Sequence, residues 1–150
     1  MTTLALEPGY WGNIGHGIGS IIAFAVLGLV LMLIGFFAID ITTPGPLRRL
    51  VASGNPNAVV VTASGMVSMA LIVVLAIYSS AGKLAEGLIA AACWGLVGIV
   101  AQVISVRALE WVVGLDIDDL LHADTYKVQS LLVAAAHLGI GMVVAVAVLY

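Results

Sequence analysis

The sequence predicts an all-α integral membrane protein: four transmembrane helices built as two tandem helical hairpins, with short interfacial helices in the first and third loops. Three observations carry this reading. Of the 150 residues, 63% are apolar and only 9% are charged, where a water-soluble domain carries charge on about a quarter of its residues. The mean hydropathy is +1.22. Four apolar runs each reach the roughly 20 residues that a helix needs to cross the hydrocarbon core of a bilayer, and two of them repeat the other two.

The first run covers residues 18–39, between His16 and Asp40. It has no positive segment before it and is longer than the apolar core of a secretory signal, so it is read as a retained span. The loop that follows opens on Thr42-Thr43-Pro44, and threonine before proline is a helix-start signal. A short interfacial helix is therefore expected over residues 44–53, with Gly54 as its stop. Asn55-Pro56-Asn57 then closes the loop as a turn, and Asn57 is expected to cap the second span, residues 58–77. The third span covers residues 87–106 and ends at Arg107, three positions before Glu110, with which it can pair. Asp116 can accept the free N–H groups of a first turn, so a second short helix is expected over residues 117–126. The fourth span covers residues 128–150.

Sliding the chain by 74 positions lays span one on span three and span two on span four, with Gly65 on Gly139 and Leu47 on Leu121. The whole chain is thus expected to form one membrane domain of two internal repeats, approximately 18–77 and 87–150. A two-span repeat keeps its orientation, which relates the halves by an axis along the membrane normal. The resulting bundle is small for its lipid-facing surface, and a homo-oligomer is expected.

Basic residues set the orientation. Arg48 and Arg49 lie in the first loop and Arg107 and Lys127 flank the third, against Lys83 alone on the other side. The positive-inside rule then puts these two loops in the cytoplasm and both termini outside, in a bacterial inner membrane. Tyr10, Trp11, Tyr78 and Tyr150 fall near the outer boundary and Trp111 and Tyr126 near the inner one, where interfacial aromatics belong. Membrane lipids are the first partners implied, with Arg48 and Arg49 placed to meet anionic headgroups.

The stretch Phe37-Ala38-Ile39-Asp40-Ile41-Thr42-Thr43-Pro44-Gly45-Pro46-Leu47, followed by Gly54-Asn55-Pro56-Asn57-Ala58, resembles the first repeat of the YjfL-like bacterial membrane proteins, grouped as domain of unknown function number 350. Arg107-Ala108-Leu109 resembles the arginine-leucine pair that opens that family's second loop. The second repeat departs from the pattern, since Gln129-Ser130-Leu131-Leu132 stands where an asparagine usually enters the last span. The resemblance implies two copies of a two-span unit and a place in the cell envelope, with no established activity to carry over.

Function classes narrow quickly. A net charge of −3 and a pI near 5.3 leave no basic stripe to neutralise phosphates, which excludes nucleic acid as a partner. One cysteine, Cys93, excludes an internal disulfide. Cys93 lies within a span without an acidic neighbour, and there is no serine elbow, so neither an enzymatic site nor a cofactor is expected. The acidic loop from Asp116 to Asp124 lacks the glycine and closing glutamate of a calcium loop, and the three histidines fall at different depths, so no metal is expected.

His137 is the most informative residue, because it falls near the bilayer middle, where an ionisable group is costly and marks a functional-site hypothesis. Ser130, Ala134, His137, Gly141 and Ala145 recur at three- and four-residue steps and so share a face. Span three carries a matching small-residue stripe of Gly87, Ala91, Gly95 and Gly98, continued by Gln102, and span two offers Ser64 and Ser68 one turn apart. His137, Gln102, Ser64 and Ser68 are therefore expected to meet as one intramembrane polar cluster. Two readings follow. One is a homo-oligomeric channel or transport component for a small ion or solute with His137 at its titratable centre. The other is a non-conducting scaffold or accessory subunit that presents its cytoplasmic loops to a membrane or cytoplasmic protein partner. The first stands slightly ahead on sequence, and the discriminating feature is whether the cluster faces a water-filled path or is buried dry.

Overall fold

The computed structural model describes residues 8–42, 46–79 and 83–150. Within them the chain forms six helices in a long, short, long order taken twice: α1 (Tyr10–Thr42), α2 (Leu47–Ala52), α3 (Pro56–Ser79), α4 (Leu84–Val113), α5 (Ile117–His122) and α6 (Gln129–Ala147). No strand occurs among the described residues. The four long helices are apolar and long enough to cross a membrane, and their order is the one tandem hairpins would give.

All four spans are present, but their lengths differ from the apolar runs. α1, of 33 residues, and α4, of 30 residues, reach about 50 and 45 Å at 1.5 Å per residue, well beyond a hydrocarbon core of about 30 Å. The apolar run marks only the part of a helix in hydrocarbon; backbone hydrogen bonding carries the helix on into the interface. α4 stops where Gly114 adopts a left-handed φ of +70° and donates its N–H to the Glu110 carbonyl, a conformation that glycine enters without a Cβ penalty.

The short helices are briefer than expected. Thr43 and Pro44 lie outside the described residues. The first turn of α2 receives instead the carboxylate of Asp40 on α1, which accepts from the Arg48 N–H at 3.2 Å. α2 ends before Gly54, whose φ is +79° and whose N–H bonds to the Val51 carbonyl at 3.0 Å. α5 begins as expected, with the Asp116 carboxylate accepting from the Asp119 N–H at 3.1 Å. It ends at His122 and not at Tyr126, because backbone groups of Ala123, Thr125 and Lys127 are bonded elsewhere, to the asparagines at the start of α3.

α3 is the axis of the bundle. It touches α1, α2, α4, α5 and α6, and half of its most apolar stretch is buried, against 11% for α1. α1 lies at the periphery with Leu31 and Gly35 as its buried residues. The core is layered. At the end carrying the short helices, Leu47, Ala58, Val61, Ile117, Leu120, Leu121 and Val133 pack together. Further along, Leu31, Met69, Ile72, Val73, Ile99 and Ala145 form a second apolar layer. Lipid tails are as apolar as these side chains, so close packing, not exclusion from water, holds the layers. Leu47 and Leu121, matched by the 74-residue shift, are both wholly buried in the same layer.

Candidate functional site: a buried polar layer

Between the two apolar layers lies a polar one. Ser64 and Ser68 on α3, Gln102 on α4 and His137 at the middle of α6 are all buried, with exposures from 0 to 8%. The expected cluster is therefore assembled, and its bonding can be followed atom by atom. Gln102 Nε2 donates to Ser68 Oγ at 2.7 Å, and Ser68 Oγ donates to the backbone carbonyl of His137 at 2.8 Å. Ser64 Oγ donates to the Val61 carbonyl at 2.7 Å. The Nδ1 atom of His137 sits 3.3 Å from both Ser64 Oγ and the Val61 carbonyl. A carbonyl oxygen only accepts, so the pattern assigns the ring proton to Nδ1 and leaves Nε2 as a bare acceptor. That Nε2 atom is buried without a protein partner, as is the hydroxyl of Thr62 nearby on α3.

Small residues make the layer possible. A Cβ added at Gly141 would lie 1.8 Å from Ser68 Oγ and 3.1 Å from Ser68 Cα, so only glycine lets α3 come near enough for Ser68 to reach the His137 carbonyl. A Cβ at Gly65 would stand 3.3 Å from His137 Nδ1. On α4 the stripe Gly87, Ala91, Gly95 and Gly98 is buried together with Gln102. Gly95 receives Leu31 of α1 and Gly98 receives Ile72 of α3, at 2.6 and 2.3 Å from where a Cβ would stand. Ala134 and Gly141 are buried on the same face of α6 as Ser130 and His137. At one matched pair the shift symmetry is not carried into roles: Gly65 abuts the imidazole, while its counterpart Gly139 has open space.

Two asparagines at the start of α3 do more than turn the chain. The capping role falls on Asn55, whose Oδ1 accepts from the N–H groups of Asn57 and Ala58 at 3.0 and 3.1 Å; Pro56, at the first helical position, has no N–H to satisfy. Asn57 is not the cap. It is wholly buried and reaches across the bundle, donating to the carbonyls of Ala123 and Thr125 at 3.3 and 2.9 Å and accepting from the Lys127 N–H at 2.8 Å. Asn55 Nδ2 also donates to the Ala123 carbonyl, at 3.1 Å. This clasp ties the exit of the first loop to the chain between α5 and α6. Local capping rules see only a few residues to either side, so the sequence held no signal for it beyond the presence of two asparagines around a proline.

The remaining candidates lie on the surface. Arg48 and Arg49 are exposed on α2. Arg107 pairs with Glu110 on α4, as their spacing suggests. The Lys127 side chain is exposed while its backbone N–H is the group held by Asn57. Asp118 and His122 form an exposed pair one turn apart at 2.8 Å. Among the described residues no three His, Cys, Asp or Glu side chains converge.

Four apolar helices around a buried polar layer define a multi-pass α-helical membrane protein. Its sequence places it further: residues 13–148 match the family described as Domain of Unknown Function (DUF350), and the chain belongs to that family. It is 33% identical over 132 residues to a UPF0719 transmembrane protein of Mycolicibacterium paratuberculosis, covering 87% of each chain. It is also 38% identical over 94 residues to a UPF0719 transmembrane protein of Mycobacterium bovis, covering 62% of this chain and 59% of that protein. No solved structure matches the chain.

Proposed function

We propose that this protein is a non-conducting membrane scaffold, whose polar layer locks four helices into one body and whose α2 and α5 face is held out to a protein partner. The observation that carries this reading is the closure of the cluster. Its four side chains are bonded within the chain and almost wholly buried. The two cavities against it each offer about 10 Å³ to the centre of a water molecule, roughly the room one water needs. A conduction path wants a continuous line of such sites. The weight the sequence placed on transport therefore moves to the scaffold.

The face itself supports the role. Leu47, Ile117, Leu120 and Leu121 sink into the bundle and fix α2 and α5 side by side, which leaves Arg48, Arg49, Asp116 and Asp119 outward on a rigid base. Basic residues concentrate at this end, so the positive-inside rule makes it the cytoplasmic face and puts both termini outside. The long uncovered flank of α1 suits lipid or a second copy, in keeping with a homo-oligomer. No catalytic step or cofactor is needed for this role. A transport role draws support from one observation, the unpartnered His137 Nε2.

Proton and potassium flux into liposomes carrying the purified protein separates the two. The scaffold reading expects flux equal to empty vesicles under either gradient. Flux above that level, lowered by His137→Ala, overturns it and restores the channel.

A further inference from the structure

His137 is wholly buried and its Nδ1 proton is already committed to Val61 and Ser64, yet Nε2 retains a lone pair with no protein donor. A buried acceptor left unmet is costly, and native proteins satisfy such atoms with protein or with ordered water. The imidazole lines a cavity with about 10 Å³ of space for a water centre. Thr42 and Arg107 share that cavity. The Thr42 hydroxyl donates to the Ala38 carbonyl at 2.7 Å and so keeps lone pairs free to accept, while the guanidinium brings further N–H donors. One molecule with two protons and two lone pairs matches these neighbours, since a buried water typically makes about three hydrogen bonds.

The same arrangement recurs at Thr62. Its hydroxyl is 5% exposed and unpartnered. It lines a second cavity of about 10 Å³ together with Gln102, the residue that begins the Ser68 relay. A dry apolar hole of this size would have no reason to be bordered by the two orphaned polar groups of the layer.

We propose that the polar layer contains two single-water binding sites, one donating to His137 Nε2 beside Thr42 and Arg107, the other bonded to the Thr62 hydroxyl beside Gln102. The first site holds His137 in the Nδ1–H form from both sides of the ring. It lies toward the end of the bundle where α2 and α5 sit, with Ile117 of α5 among its lining residues. The sites are discrete, and the proposal stands apart from the scaffold reading.

The test uses the full chain in lipid nanodiscs with 15N-labelled histidine. His16 and His122 are exposed, so H16Q/H122Q leaves His137 as the single reporter. The expected spectrum shows a protonated Nδ1, an imine-type Nε2 shifted by a hydrogen bond, and magnetisation transfer from water to the ring. Val103→Phe, which fills the cavity from a half-buried position, abolishes that transfer with the helical signal retained. A ring protonated on Nε2, or no transfer in the unfilled protein, overturns the first site. At the second, Thr62→Val lowers the detergent fraction at the unfolding midpoint if a water bonds the hydroxyl. A raised midpoint means the hydroxyl was unmet and overturns that site.

Discussion

Replacing Gly141 with alanine puts the packing argument at risk most directly. The added Cβ would lie 1.8 Å from Ser68 Oγ, 2.8 Å from Ser68 Cβ and 3.1 Å from Ser68 Cα. Turning Ser68 to another rotamer relieves only the first contact, and it already sacrifices the bond to the His137 carbonyl. Non-bonded carbons settle at roughly 3.5 to 4.0 Å, so α6 must withdraw from α3 by about 0.5 to 1 Å at this point. The Ser68 bond, now 2.8 Å, would stretch past the usual O–H···O limit of about 3.0 Å. Overpacking costs about 1 to 3 kcal/mol, and an interhelical hydrogen bond in a membrane averages about 0.6 kcal/mol. Alanine returns up to about 1 kcal/mol of helix propensity. The net expected loss is about 1 to 3 kcal/mol, roughly a 5- to 150-fold fall in the folded-to-unfolded ratio. Gly139→Ala is the control on the same helix: nothing lies within 4 Å of its added Cβ, so propensity alone acts and stability holds or rises. Unfolding by sodium dodecyl sulfate in mixed micelles, followed by circular dichroism, measures both. Equal midpoints for the two variants would refute the claim that Gly141 sets the α3–α6 distance.

Other changes test neighbouring parts of the structure. Asn57→Ala removes three hydrogen bonds from a wholly buried side chain and should cost about 2 to 4 kcal/mol, with the 123–127 segment becoming a site of limited proteolysis. Asn55→Ala removes the α3 cap and should cost about 1 kcal/mol, so a scan in which Asn55 outweighs Asn57 contradicts the assignment of cap and clasp. Ser68→Ala and Gln102→Ala should couple by about 0.5 to 2 kcal/mol in a double-mutant cycle, whereas additive losses would mean the 2.7 Å bond between them carries no energy. Asp116→Ala should cost about 1 kcal/mol and reduce hydrogen-exchange protection in α5 alone.

The polar layer was legible because a helix obliges residues three and four apart to share a face. Ser130, Ala134, His137, Gly141 and Ala145 could be put on one stripe of α6, and Gly87 to Gln102 on one stripe of α4, before any contact was known. Which partner each stripe met was not legible: that Gly141 faces Ser68, and Gly98 faces Ile72, depends on helix azimuth and separation. Asn57 was misread for a related reason. Its partners are 66 to 70 residues away, beyond any local rule, and the same asparagine-proline-asparagine letters read equally well as a turn. Span lengths fell short because hydropathy marks where lipid is and not where the helix ends, and the Gly12 to Gly19 stretch of α1 stays helical despite its glycines.

The clasp at Asn57 also bears on how the protein is made. Chains grow at about 5 to 20 residues per second, so the partners of Asn57, 66 to 70 residues on, emerge about 3 to 14 s after it. Through that interval α3 has its asparagine amide without the Ala123, Thr125 and Lys127 backbone, its Ser68 hydroxyl without the His137 carbonyl, and its groove without α6. The first hairpin is thus an unfinished object in the bilayer, in need of shelter by the insertion machinery or by lipid-water contact. A ribosome stalled between α4 and α5 leaves Gln102 on Ser68 but strands Asn57 and the Ser68 hydroxyl without the backbone groups they bind further along the chain.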